Sequence, residues 1–184
     1  MKISKIDLKK TLEKHIHEQL DRSRYEVSRV ESNKLLKFYT FDLAFKLYYL
    51  DYKNINLRLA REVYFSHIKA YNFFKIKEYG NLKKKTLKDF ENYFTETFEN
   101  IRTNGFDLNK SIIPLTKNGD YLNGSHRVSV CINLKKKVFV LNTGLSAYSP
   151  TDFSFFYKKA VQINVIEKAL KNYLEYLDGV YIAF

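Results

Sequence analysis

The sequence contains few residues that interrupt or cross-link a chain: one cysteine, two prolines and six glycines among 184 residues. The single cysteine, Cys131, excludes an internal disulfide and a zinc site built from cysteines. His15 and His17 lie two residues apart, so on a helix they would point to different faces and not to one metal ion. No run of 18 apolar residues predicts a membrane-spanning helix, and the charged N-terminus lacks the apolar segment of a signal peptide. These absences favour a cytoplasmic protein of bacterial type without a metal site of its own.

Basic residues outnumber acidic ones, with 32 Lys and Arg against 20 Asp and Glu and a formal net charge of +12. Such an excess suits binding to nucleic acid, to a phosphorylated small molecule or to an anionic membrane surface. A lysine-rich solvated face explains it equally well. Fifteen Tyr and fifteen Phe can build a core without Trp, and the length suffices for one substantial domain.

Apolar periodicity predicts helices in the first 104 residues, most clearly over 86–104. The apolar stripe of this helix consists of Leu87, Phe90, Phe94, Phe98 and Ile101. Thr86 is placed to cap the helix together with Asp89, and Gly105 suits a left-handed residue after its end. Weaker patterns predict helices over 7–22, 34–50 and 57–74 and a strand over 25–30.

The segment 111–141 has the pattern of a small α/β unit. A strand over 111–115 and a return strand at 121–122 flank Asn118-Gly119, a dipeptide typical of tight hairpin turns. A helix then begins at Gly124-Ser125 and is predicted to end near Asn133, followed by a strand over 138–141. A last helix is predicted over 155–177. The final five residues resemble a strand, which would either join the sheet or lead into a longer protein.

Residues Asn123-Gly124-Ser125-His126-Arg127 lie where the helix of this unit begins. The first N–H groups of a helix lack intrahelical partners and lie at the positive end of its dipole, which stabilises an anion. Gly124 allows close approach of the backbone to a ligand, while Ser125, His126 and Arg127 supply side-chain donors for phosphate oxygens. The alternative is that Ser125 only caps the helix and the next two residues are solvated. The pattern predicts a phosphate-binding helix start.

The order of elements over 111–141, with its NG hairpin and NGSHR turn, resembles the ParB/sulfiredoxin superfamily. The turn is most similar to the Asp-Gly-His-His-Arg turn of the free-serine kinase branch. The resemblance implies an α/β (α+β) fold with a small mixed sheet, in which a helical N-terminal extension (1–85) packs on the core (86–184) as one compact domain. Sulfiredoxin chemistry is disfavoured because that branch needs a cysteine where this chain has Ser125. The DNA-partitioning branch is disfavoured because one long predicted helix, not a helix-turn-helix domain, follows Leu141.

The kinase branch implies transfer of phosphate from ATP or ADP, with Mg²⁺, to a small hydroxyl acceptor. Its catalytic acidic residue precedes the helix before the hairpin, and Glu78 is the only carboxylate in the corresponding region, 67–85. Glu78 is therefore the candidate general base, although an exposed loop glutamate among lysines is an equal alternative. The candidate site consists of Glu78 and His126 for catalysis, Asn123, Gly124, Ser125, His126, Arg127, Lys84 and Lys85 for phosphate binding, and His67, Asn72 and Asp107 for the substrate.

Three functions remain open from the sequence. The first is a nucleotide-dependent phosphotransferase, which the resemblance associates with bacterial surface-polysaccharide biosynthesis. The second is a nucleic-acid-binding or nucleotide-switched module, supported by the positive charge and the aromatic content. The third is a regulatory domain that retains the fold without turnover, because Asn123 stands where the kinase pattern has an aspartate that could hold Mg²⁺ or orient the histidine.

Overall fold

The computed structural model describes residues 1–74, 76, 84–146 and 151–177. These residues form two units, each built from two stretches of chain. The sheet unit comprises Met1–Leu35 and the described part of Phe98–Ser149, and the helical unit comprises the described parts of Leu36–Thr97 and Pro150–Phe184. Each unit takes residues from both predicted segments, 1–85 and 86–184. The predicted fold class, a small α+β fold with a mixed sheet, is confirmed.

The sheet unit has four strands and short helices. Its elements are β1 (Lys2–Ser4), α1 (Lys5–Leu8), α2 (Lys14–Glu18), β2 (Arg24–Glu31), a 3₁₀ turn (Ser32–Leu35), the end of α5 (Leu87–Asn104), β3 (Ile113–Leu115), α6 (Ser125–Asn133) and β4 (Lys137–Asn142). The strand order is β1-β2-β4-β3, with β2 antiparallel to β1 and β4, and β3 parallel to β4. The helix α6 makes the crossover connection that two parallel strands require.

The core of the sheet unit lies under β2, where buried and exposed residues alternate as in a strand with one covered face. The apolar stripe predicted at 7–22 packs there, but the prediction of one continuous helix is wrong. Two short helices, α1 and α2, replace it. Apolar residues spaced by four positions fit two short helices as well as one long helix. In the structure, Leu8, Leu12 and Leu20 pack in one cluster with residues of β2 and β4.

The helical unit is built from five helices or parts of helices among its described residues. They are α3 (Asp42–Tyr52), α4 (Leu57–Tyr71), the first part of α5, α7 (Phe153–Lys158) and α8 (Ile163–Leu174). The capping box of α5 is confirmed, because Asp89 N–H donates to Thr86 Oγ1 over 3.2 Å and Thr86 N–H donates to Asp89 Oδ2 over 2.8 Å. Gly105 has the expected positive φ of 75°. Within the described ranges, no helix combines the length and the apolar character needed to cross a membrane.

Two helix predictions for this unit are wrong in their extent. The helix predicted from residue 34 begins only at Asp42, and the N–H of Phe41, the residue before it, donates to the carbonyl of Thr151 over 3.0 Å. The single helix predicted over 155–177 is two helices, separated at Ala160, which has a φ of +56°. There Val161 N–H donates to Phe156 O over 3.1 Å, and both side chains are buried, as in a Schellman motif.

Candidate phosphate-binding site

The hairpin after β3 positions the start of α6. Gly119 has a φ of +83°, and its N–H donates to Thr116 O over 3.0 Å. The return segment pairs with β3 only through a bridge between Leu115 and Tyr121, shorter than the strand predicted at 121–122. Because Leu122 N–H also donates to the carbonyl of Pro114 over 2.8 Å, the chain runs back beside β3 before the helix begins.

Gly124 immediately precedes α6, at a position whose backbone conformation and close contacts favour glycine. It is buried and has a φ of +96°, in the left-handed region. A Cβ atom there would lie 2.7 Å from Ile113 Cδ1 and 2.9 Å from Arg127 Nη2. The preceding residue, Asn123, accepts the N–H of Gly124 with its side-chain oxygen. The turn is thus determined both by backbone conformation and by close packing.

The first turn of α6 has the features of an anion-binding helix start. Ser125 is the first helical residue, so its hydroxyl does not occupy the capping position, and no side-chain cap of α6 is found among the described residues. The guanidinium of Arg127 folds back over Gly124, at the positive end of the helix dipole. Ser125, His126 and Arg127 are all half-buried. A phosphate in front of this turn would meet backbone N–H groups and the planar donors of Arg127 together.

The remainder of α6 anchors this turn in the sheet unit. Residues Val128 to Ile132 are buried, and the Ser129 hydroxyl donates to His126 O over 2.9 Å. Burial raises the pKa of the Cys131 thiol to about 12, so the reactive thiolate is scarce at neutral pH.

The substrate candidate Asp107 and the hairpin residue Asp120, both in the sheet unit, have roles in turns. Asp107 Oδ1 accepts the N–H of Asn109 over 2.9 Å, which forms a turn before β3. The N–H of Asp120 donates to the Thr116 hydroxyl over 3.2 Å within the hairpin. These contacts connect both residues to local backbone structure.

The lysine and substrate candidates from the earlier part of the chain belong to the helical unit. Lys84 is buried, with its ammonium 3.9 Å from the centre of the Tyr93 ring. Lys85 is exposed, and its backbone N–H donates to Asp89 Oδ2 over 3.0 Å. Asn72 donates from Nδ2 to the carbonyl of Ile68 over 3.0 Å at the end of α4. Glu78, the candidate general base, and Lys83 lie outside the described residues.

His67 is part of a buried charge cluster formed by Asp42, Lys46 and His67, which sequence reasoning missed. Lys46 Nζ lies 3.0 Å from Asp42 Oδ2, 3.2 Å from the Asp42 carbonyl and 3.2 Å from His67 Nε2. All three residues are at most 3% exposed. The available signal was an aspartate and a lysine four residues apart inside the apolar run FDLAFKLYYL, where helical spacing brings them together.

The surroundings of His67 keep its ring neutral. The ring stacks on Phe45 with centroids 5.3 Å apart and contacts Phe156 with centroids 5.5 Å apart. Burial, and secondarily the ammonium of Lys46, hold the pKa of His67 well below its ordinary value. Since Nε2 accepts from Lys46, Nδ1 carries the proton, and it has no hydrogen-bond partner in the described part of the chain.

The depressed pKa of His67 predicts that the protein loses stability as the pH falls below about 6.5. The unfolded chain then takes up a proton that the folded chain cannot hold, so the free energy of unfolding falls by up to about 1.4 kcal/mol per pH unit until the folded pKa is reached. Urea unfolding at pH 7 and pH 5 measures this slope. His67→Gln should flatten it, whereas His15→Gln, a change at an exposed histidine, should not; equal slopes in all three proteins would contradict this explanation.

The described residues contain no group of three His, Cys, Asp or Glu side chains arranged to hold a metal ion. Comparison of the chain with protein-family models, curated proteins and solved structures found no significant match. The resemblance of 111–141 to the ParB/sulfiredoxin superfamily therefore stays a prediction from the motif.

Proposed function

We propose that the sheet unit binds the phosphate groups of a nucleotide at the start of α6 and transfers a phosphoryl group to a small hydroxyl acceptor. The observation that supports binding is the packing of the Arg127 guanidinium over Gly124, a buried residue with a positive φ. The guanidinium therefore lies close to the backbone N–H groups at the start of α6. The cation and the N–H groups each favour phosphate over a neutral ligand.

Each residue of the turn has a distinct role in this proposal. Backbone N–H groups of the first helical turn and Arg127 neutralise the phosphate oxygens, and His126 donates to the phosphoryl group that moves. The acceptor oxygen forms the new bond to phosphorus while the bond to the leaving nucleotide oxygen breaks. The acceptor proton passes to a general base; the candidate for this role from the sequence, Glu78, lies outside the described residues. Mg²⁺ would arrive bound to the nucleotide phosphates.

Nucleotide binding is expected to raise the melting temperature of the wild-type protein in the presence of Mg²⁺. A ligand at one hundred times its Kd stabilises the folded state by about 2.7 kcal/mol, a shift of several degrees. The Arg127→Ala variant should lose most of the shift, because charge-assisted hydrogen bonds contribute about 1.5–3 kcal/mol each. Thermal denaturation with ATP, ADP and CTP in turn measures both effects.

Arg24→Ala provides the matched control, since Arg24 is an exposed arginine of the same unit on β2. Arg24→Ala should retain the full nucleotide-induced rise in melting temperature. This result would show that binding needs the Arg127 guanidinium and does not simply respond to the loss of one positive charge. No shift in the wild type at millimolar nucleotide would overturn the proposal. A shift that depends on Arg127 without product formation from any hydroxyl acceptor would overturn the transfer step and leave a nucleotide-binding regulatory domain.

A further inference from the structure

The helical unit contains a cleft of about 650 Å³ beside α4 and the first turn of α5. Three cations line it together with one carboxylate and apolar side chains. These residues are Arg61, Lys85, Lys88, Glu91, Phe65 and Leu87. The volume lies in the range of sites that accept small molecules.

Glu91 organises the cations of this cleft. Its side chain is only 4% exposed, and it accepts from Arg61 Nε over 2.8 Å, Lys88 Nζ over 2.8 Å and the Tyr49 hydroxyl over 3.0 Å. Burial alone would raise the pKa of Glu91, but these hydrogen bonds outweigh it and lower the pKa. Glu91 is therefore a fixed anion that holds the side chains of Arg61 and Lys88 in place.

Arg61 is the side chain best placed to bind a ligand. It is engaged with Glu91 through Nε, and its side chain is 38% exposed. The two Nη groups of a guanidinium are paired donors that fit a carboxylate or phosphate. Arg61, Lys85 and Lys88 outnumber Glu91, the only carboxylate among the described lining residues, so the residues that border the cleft have a positive formal charge, while the surface exposed inside it is mainly apolar.

The capping contacts of α5 lie beside this site. The carboxylate of Asp89 accepts the N–H groups of both Lys85 and Thr86, the two residues that precede the helix. The proposed anion recognition uses the side chains of the cleft. Phe65 and Leu87 add an apolar wall, which suits a ligand with a flat apolar group next to its anionic group.

We propose that this cleft binds a phosphorylated small molecule whose phosphate contacts Arg61 and Lys88 and whose aromatic or apolar group packs on Phe65. The site is separate from the phosphate site proposed at α6, and neither proposal depends on the other. Phenyl phosphate, which combines both chemical features, is the probe for it. Inorganic phosphate lacks the ring and should bind about tenfold more weakly.

Nuclear magnetic resonance titration of the full chain with phenyl phosphate tests the site directly. We expect millimolar ligand to shift the amide signals of 61–65 and 85–91. Arg61→Gln should weaken binding about tenfold. Arg58→Gln changes an exposed arginine one turn earlier on α4 and should weaken binding by less than about twofold.

The outcomes separate the two proposed sites. Arg127→Ala should leave phenyl phosphate binding in the cleft unchanged. Shifts confined to 124–128 and abolished by Arg127→Ala would overturn the cleft proposal while supporting the α6 site. Equal weakening by Arg61→Gln and Arg58→Gln, or no shifts at millimolar ligand, would also overturn it.

Discussion

Replacing Lys46 with methionine is expected to lower the free energy of unfolding by about 3–5 kcal/mol, a large part of the total for a protein of this size. Methionine fills a similar volume but removes the ammonium that lies 3.0 Å from Asp42 Oδ2. The aspartate carboxylate, 4% exposed at its side chain, would then be left in the core with an uncompensated charge. Thr151 still donates to Asp42 Oδ1 over 3.2 Å, which replaces only part of the lost interaction. Urea unfolding at neutral pH measures the loss.

The double variant Asp42→Asn/Lys46→Met distinguishes loss of the ion pair from loss of packing. It carries no unpaired charge, and the introduced amide keeps an oxygen that can accept from Thr151, so we expect it to be more stable than Lys46→Met alone. Lys69→Met, at an exposed lysine of α4, should change the free energy of unfolding by less than about 0.5 kcal/mol. If the double variant loses the sum of both single losses, the cluster does not act as a coupled pair.

Gly124→Ala is expected to cost about 2–5 kcal/mol of stability and to weaken nucleotide binding at α6. The left-handed backbone contributes about 1–2 kcal/mol for a residue with a Cβ. The methyl group would also overlap Ile113 Cδ1 at 2.7 Å, and overpacking in a core adds about 1–3 kcal/mol. Because the same methyl group meets Arg127 Nη2 at 2.9 Å, the guanidinium must move away from the helix start.

Gly119→Ala is the control for the backbone contribution. Gly119 also has a positive φ, +83°, but nothing lies within 4 Å of the position of its Cβ. Its cost should therefore be the smaller one, about 1–2 kcal/mol, without an effect on phosphate binding. Chemical denaturation and nucleotide-induced thermal shifts of the two variants measure the difference. Equal costs would show that the contact with Ile113 and Arg127 does not contribute.

Local sequence patterns predicted the features of the candidate phosphate site that depend on neighbouring residues. The NG turn, the helix from Ser125 to Asn133 and the positive φ at Gly124 all follow from interactions within a few residues, whereas the close contact of Gly124 with Ile113 depends on the packing of β3. The position of Lys84 does not follow in this way. The sequence suggested Lys84 as a phosphate contact. In the structure, its side chain is buried in the helical unit, with the ammonium packed on the ring of Tyr93.

Helix extents show the same division between local and distant interactions. The capping box and C-terminal glycine of α5 lie within its own sequence, and both were predicted correctly. The breaks within 7–22 and 155–177 were not predicted, because apolar residues spaced by three or four fit one long helix and two short ones equally well. Packing in the core selects the two short helices in each case, as the burial of Phe156 and Val161 around Ala160 illustrates.

The sequence by itself determined the capped helix α5 and the left-handed glycine before α6, since both depend on residues close along the chain. The pattern of apolar residues also predicted the fold class and the strand β2, although the partners of β2 in the sheet are distant in sequence. Only the tertiary structure decided the strand order, the cationic cleft and the buried charge cluster. Asp42 meets Thr151 across 109 positions, and Lys46 meets His67 across 21. Contacts over such separations leave no periodic pattern in the sequence. A buried charge is stable only when its partners surround it, and these partners come from distant parts of the chain.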